Sequence, residues 1–270
     1  MHPRDRLPPG LRHGIEQTVA AQRLEGWRPT ERHLHTLDEL LCGESTFAEY
    51  LAEHRAVLPP PAPRRRTLRR KRPYLIPGTT TLRNNFGTES AELLAQLEFV
   101  ATAGRTAQWH HRLAGGDAAL DDLDVRALHQ HVFADVYSWA GRLRVTELRR
   151  GETVFAWQAD LADGVAELDA RARAIPAELQ AGDTARLAFE FARWYADYNQ
   201  VHPFREGNGR TGTLLLHTLA ALCGHRLDLT DVSRSQWYAA SADSMPYRRG
   251  GAANHRPFLP LFISALSVAE

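Results

Sequence analysis

Between residues 202 and 210 the chain reads His202-Pro203-Phe204-Arg205-Glu206-Gly207-Asn208-Gly209-Arg210. The histidine is a group that takes up a proton near neutral pH. Glu206 is an oxygen ligand of the kind that holds magnesium together with substrate phosphates. Gly207, Asn208 and Gly209 let backbone N–H groups converge just ahead of an apolar helical stretch. Amide donors at a helix N-terminus make an anion site, most naturally for phosphate. Arg210 adds a planar fork of donors suited to phosphate oxygens. Alone, GNG is an ordinary turn sequence and a single histidine is most often structural. Together in one short loop, they offer a base, a metal ligand and a phosphate cradle.

Two helical patterns must hold that loop. Residues 184–200 place Leu187, Phe191, Trp194, Tyr195 and Tyr198 on one face at three- and four-residue spacing. Residues 211–223, TGTLLLHTLAALC, are apolar nearly all round and stop at Gly224, which reads as a buried central helix. The only strand signal lies at 142–156, where LRV and TVFA flank a turn-like Arg149-Arg150-Gly151-Glu152. The expected fold class is all-α with one small hairpin.

Upstream, three short helices are predicted within residues 1–56. The first carries Ile15, Val19 and Leu24 and ends at Gly26. The second starts after an N-cap at Thr30 and stops at Gly43, and the third spans roughly Phe47 to His54. So small a piece buries too little to stand alone and is expected to dock on residues 73–270. Residues 57–72 between them, a proline run followed by RRRTLRRKR, read as a linker. That run holds seven positive charges; without it the chain has 26 basic against 32 acidic side chains. No aromatic residues interleave its arginines, so a nucleic-acid partner is not indicated. Cys42 and Cys223 are far apart and give neither a disulfide framework nor a zinc site. No apolar run approaches the roughly 18–20 residues of a membrane span, and a secretory leader is lacking, which points to a cytoplasmic protein.

The loop HPFREGNGR matches the Fic-family signature His-x-Phe-x-(Asp/Glu)-Gly-Asn-Gly-Arg. HQHVFADVYSWAGRLR at 129–144 resembles the family's segment leading into its substrate flap, and YLIPGTTTLRNN at 74–85 resembles the opening of its core in the bacterial toxin branch. The resemblance implies a protein adenylyltransferase with a helical Fic fold, moving AMP from ATP to a Ser, Thr or Tyr hydroxyl of another protein. It implies His202 as base, Phe204 as anchor of the loop and Glu206 as the Mg2+ ligand. Gly207, Asn208 and Gly209 would form the anion hole, with Arg210 on phosphate. The 142–156 hairpin would align the target by main-chain pairing. Type II topoisomerase subunits are the targets of related toxins.

One departure stands out. Most active members carry a second arginine, a γ-phosphate ligand, where this chain has Thr213. Ala21-Gln22-Arg23-Leu24-Glu25-Gly26 resembles the inhibitory helix of the small antitoxins paired with Fic toxins, (Ser/Thr)-x-x-x-Glu-(Gly/Asn), with Ala21 replacing the hydroxyl residue. The resemblance makes residues 1–56 an intramolecular antitoxin-like module, with Glu25 and Gly26 obstructing the nucleotide site. The alternatives are a Fic enzyme with another nucleotide or phosphate donor, because of Thr213, and a catalytically silent Fic binding module.

Overall fold

A buried helix organises the molecule. In the computed structural model, which describes residues 8–55, 72–151, 153–180 and 182–269, α8 (Asn208–Leu222) lies at the centre. Leu214, Leu215, Leu216 and Leu219 are each at most 1% exposed, as its all-round apolar sequence requires. Around it pack α4 (Ala91–Ala114), α5 (Val125–Phe133), α6 (Leu161–Glu178) and α7 (Thr184–Val201). The apolar face of α7 is buried at all five positions given by its spacing. α9 (Arg234–Asp243) and α10 (Leu259–Ala265) complete the C-terminal part. α4, α5 and α7 start on side-chain caps: Ser90 accepts from Leu93 N–H, Asp124 from Arg126 and Ala127, and Asp183 from Arg186.

The N-terminal segment forms α1 (Pro9–Leu24), α2 (Glu31–Leu41) and α3 (Phe47–Arg55), with Thr30 capping α2 and Gly26 at φ +103°. It docks on α4, whose two faces serve two cores. Leu94, Leu97 and Ala101 belong to the main core, where Ala20 and Leu24 of α1 join them. Val100, Ala103 and Ala107 face Ile15, Val19, Trp27, Leu37 and Tyr50. Polar ties reinforce the seam: Gln17 Nε2 donates to Asp228 (2.9 Å) and Tyr50 OH to the Val100 carbonyl (2.9 Å). Removing the segment would therefore uncover an apolar face of α4.

The strands differ from expectation. β1 (Arg149–Arg150) pairs antiparallel with β2 (Thr153–Val154), so Arg149 and Arg150 are strand rather than turn, and 143–145 is not strand. The reason is that Arg144 is engaged elsewhere: its N–H donates to the Pro203 carbonyl at 2.9 Å. A second pairing, β3 (His225–Leu227) with β4 (Leu266–Val268), was not foreseen. α8 begins three residues earlier than the apolar run suggested, within GNG itself. Apart from Arg72, the expected linker lies outside the described residues. Among the described residues no helix is long and apolar enough to cross a membrane.

Candidate active site

The loop is shaped by two left-handed residues. α7 ends at Val201, and His202 turns the chain at φ +47°, ψ +61°, its N–H donating to the Tyr198 carbonyl at 2.9 Å. Pro203 then prevents the helix from continuing. A non-glycine residue held there costs on the order of 1–2 kcal/mol, so something must pin it. Arg144, 1% exposed, does so. Its Nε donates to the His202 carbonyl (2.9 Å), and its Nη atoms donate to the carbonyls of Thr146 (2.9 Å), Ala156 (2.7 Å) and Val201 (3.3 Å). One guanidinium thus joins the histidine turn to both ends of the hairpin.

Phe204 is fully buried and stacks on His129 with ring centroids 3.8 Å apart. Burying such a side chain contributes roughly 1.5–3 kcal/mol. The Asn208 amide clasps the same residue, accepting from Phe204 N–H (3.0 Å) and donating to its carbonyl (2.9 Å). Asn208 therefore faces an anion with its main-chain N–H only. Gly207, at φ +82°, lies so close to Phe133 that a Cβ would meet the ring at 2.2 Å. His129 accepts from Gly141 N–H at Nδ1 (2.8 Å), leaving Nε2–H to donate to the Glu206 carbonyl (3.0 Å). Burial pushes its pKa down to about 3, which keeps this tautomer neutral.

The first helical hydrogen bond of α8 runs from Thr211 N–H to the Gly207 carbonyl. The N–H groups of Asn208, Gly209 and Arg210 have no intrahelical acceptor and carry the positive end of the helix dipole. A carboxylate stands beside Gly209. Glu25 Oε1 lies 1.7 Å from where a Cβ on Gly209 would be, so only glycine admits it. Burial raises the Glu25 pKa, opposed by the positive charges of Arg210, Arg150 and Arg234. Among the described residues Glu25 makes no ion pair within 4 Å.

Glu25, His202, Glu206, Gly207, Asn208 and Gly209 line one cavity of about 180 Å³. That is smaller than the roughly 300–1,000 Å³ of ordinary small-molecule sites. Phe155 closes over His202, the rings stacked at 3.8 Å. Burial and the nearby Arg150 bring the His202 pKa to about 3, so the imidazole is unprotonated, as a base must be. Burial and Glu98 raise the Glu206 pKa; Gly207 N–H donates to its Oε1 at 3.0 Å.

Arg210 does not line the cavity. It is 4% exposed and paired with Glu98, which also accepts from Tyr137 OH. A second Nη donates to Thr102 Oγ1 (3.1 Å), which also accepts from Gln22 of α1 (3.0 Å). Thr213 is buried, its hydroxyl donating to the Gly209 and Arg210 carbonyls (both 3.1 Å). Gly26 lies under the Arg234 guanidinium. Arg144, His129, Phe155 and Arg150 were not singled out from sequence as site residues. The only signal for the first two was their place in the 129–144 segment.

The Fic/DOC family model matches residues 119–220. A probable protein adenylyltransferase of Sinorhizobium fredii is 36% identical over 163 residues, covering 58% of this chain and 79% of the relative. A probable protein adenylyltransferase Fic of Salmonella typhimurium is 29% identical over 175 residues, covering 63% and 82%. In fold, the chain is similar to the BepC protein of Bartonella tribocorum, solved with bound AMPPNP. The TM-score is 0.62 at 21% identity, covering 73% of this chain and 97% of that one. The loop clasped by Arg144 and Asn208 is the one that carries the signature, and the chain belongs to the Fic/DOC family.

Proposed function

We propose that the chain is a protein adenylyltransferase restrained by its own N-terminal segment. The observation that carries the reading is the Glu25 carboxylate at the amide N-terminus of α8, in the same cavity as unprotonated His202. That position suits a phosphate of ATP, and a carboxylate there fills and repels what the donor needs.

His202 takes the proton of a Ser, Thr or Tyr hydroxyl on the target protein. The hydroxyl oxygen bonds to the α-phosphorus, the bond to the bridging oxygen breaks, and pyrophosphate leaves with the electron pair. The amides of Asn208 and Gly209 hold the charge that develops on phosphate, which is where most of the acceleration comes from in such reactions. Arg144 and Phe155 hold the imidazole in place, so that positioning is settled before substrate arrives. The hairpin of β1 and β2 lies beside His202 and offers main chain for pairing with a target segment. Among the described residues no three acidic, histidine or cysteine side chains gather to hold a metal. Glu206 fits magnesium all the same, because that ion takes one or two carboxylates and completes its shell with phosphates and water. When bound, magnesium would neutralise phosphate charge.

Residues 1–56 then act as an antitoxin-like module within the chain, joined by 57–72 to the Fic domain at 73–270. A different nucleotide donor is a second reading, favoured by the buried, internally bonded Thr213. The test is mass spectrometry of candidate target proteins, topoisomerase subunits among them, after incubation with magnesium and mixed nucleoside triphosphates. The Glu25→Gly chain should leave AMP adducts that wild type leaves sparingly and Glu25→Gly/His202→Ala leaves not at all. An adduct of another nucleotide would select the second reading, and no adduct with any target would overturn both.

A further inference from the structure

At position 213, where the family resemblance places a phosphate-binding arginine, the chain has no cation. Thr213 cannot supply one, and Arg210 is committed to Glu98 and Thr102 with its guanidinium 4.7 Å over the Phe133 ring. Two other arginines, far apart in sequence, converge on a tyrosine of the cavity wall, Arg150 itself lining the cavity and Arg234 standing behind the ring. Arg150 comes from β1 and Arg234 from the first turn of α9. Both guanidinium carbons lie over the ring of Tyr238, a lining residue, at 5.5 Å and 4.8 Å. Arg234 also donates from Nε to the Leu24 carbonyl at the end of α1 (3.2 Å).

We propose that Arg150, with Arg234 beside it on Tyr238, forms the terminal-phosphate grip that Thr213 cannot provide. This rests on the reading of the cavity as a nucleoside-triphosphate site. Arg149 and Arg150 both line the cavity, and of the two it is Arg150 whose guanidinium lies over the Tyr238 ring. Stacking on an aromatic ring orders a guanidinium while leaving its edge donors free, which is the state wanted for phosphate. Both side chains are exposed, so neither is needed for the core.

The arrangement also explains how Glu25 restrains the site without its customary arginine. In the resting chain the carboxylate feels the charge of the same two cations, and the Leu24 carbonyl accepts from Arg234 Nε. An incoming terminal phosphate displaces that carboxylate and takes over both arginines. Because Arg150 belongs to the hairpin, donor binding and the posture of the target-pairing strands become linked.

The experiment uses the full chain carrying Glu25→Gly, titrated calorimetrically with ATP and with AMP in the presence of magnesium. Adding Arg150→Ala should weaken ATP on the order of tenfold to a hundredfold, the size of a lost charged hydrogen-bond contact, and leave AMP unchanged. Arg150→Lys should recover part of the loss, and Arg234→Ala should show a smaller loss of the same kind. An unchanged ratio of ATP to AMP affinity in Arg150→Ala would overturn this assignment while the transferase reading stands. Failure of the Glu25→Gly chain to bind ATP at all would overturn both.

Discussion

In the loop at residues 202–210 most polar groups close on partners within the fold, His202 Nδ1 and Arg210 Nε being the buried exceptions. Asn208 clasps Phe204, His129 holds the Glu206 carbonyl, and Arg144 gathers the carbonyls around His202. The helix end at residues 24–26, which meets that loop at Gly209, is built differently. Glu25 is half-buried in the cavity with no ion pair among the described residues, set against arginines that lie further off. The catalytic loop is thus fixed by many mutual contacts, each hard to undo alone. The proposed restraint depends on one side chain whose desolvation is electrostatically unfavourable. A rigid site with a poorly satisfied plug can be released without rebuilding the site.

The largest effect should come from the loop. His202→Ala removes the proposed general base, worth on the order of 10²–10⁴ in rate, about 3–5 kcal/mol in the barrier. Transfer assayed in a Glu25→Gly background should fall by that factor with the circular dichroism melt unchanged. Arg144→Met comes next. It strands four carbonyls and unpins a left-handed residue, a loss of about 3–5 kcal/mol in stability by analogy with broken buried charge contacts. A denaturant midpoint equal to wild type would show that the loop does not depend on this clasp.

On the other side of the comparison, Glu25→Gly should raise transfer roughly 5- to 150-fold, the span of ordinary coupling energies of about 1–3 kcal/mol. Rates equal to wild type, with a verified target, would mean that Glu25 does not restrain the site. The effect should also depend on pH. His202 stays unprotonated down to about pH 3, so the base itself brings no acid limb near 6.5. Glu25 has a raised pKa, so it loses its charge as pH falls through that value, and the wild-type rate should approach that of Glu25→Gly. A ratio of the two rates that is flat across mildly acidic pH would leave only steric obstruction. The smallest effect concerns stability. A carboxyl with a raised folded-state pKa favours the fold at low pH, and that contribution is lost as pH rises from its ordinary value of 4.5 through the folded value. Glu25→Gln should therefore melt slightly higher than wild type at neutral pH, by about 2–4 °C for each kcal/mol recovered, with the difference vanishing in acid.

The sequence made the loop legible because its chemistry lies in consecutive residues, from His202 to Arg210. The helices on either side were legible because α7 is strongly amphipathic and α8 apolar all round. What escaped depends on pairings across the chain. Arg144 acts on a residue 58 positions away, and nothing local distinguishes it from Arg142. The partners of Arg210 escaped for the same reason, since Glu98, which pairs with its guanidinium alongside Glu206, lies 112 positions away. β3 and β4 are three-residue strands whose partner is supplied only by the tertiary fold. The hairpin was placed too early because Leu143 and Val145 look like strand residues, whereas the backbone of Arg144 is engaged by Pro203. Glu25 was legible only through resemblance. No periodicity reveals that the end of one helix reaches the beginning of another.

The clasp of Arg144 also bears on timing. Arg249 works alongside it, with Nε donating to the Phe155 carbonyl at 2.7 Å and a Nη paired with Glu147. Between them the two guanidiniums tie both roots of the hairpin to the body of the protein. Short loops rearrange in nanoseconds to microseconds, whereas hinged lids take microseconds to milliseconds. Target capture by this chain should thus be governed by diffusion and strand registry, with no slow closing step. A stopped-flow trace with labelled target peptide should show a single binding phase whose rate rises linearly with peptide concentration; a plateau would reveal a gate that the clasp does not permit.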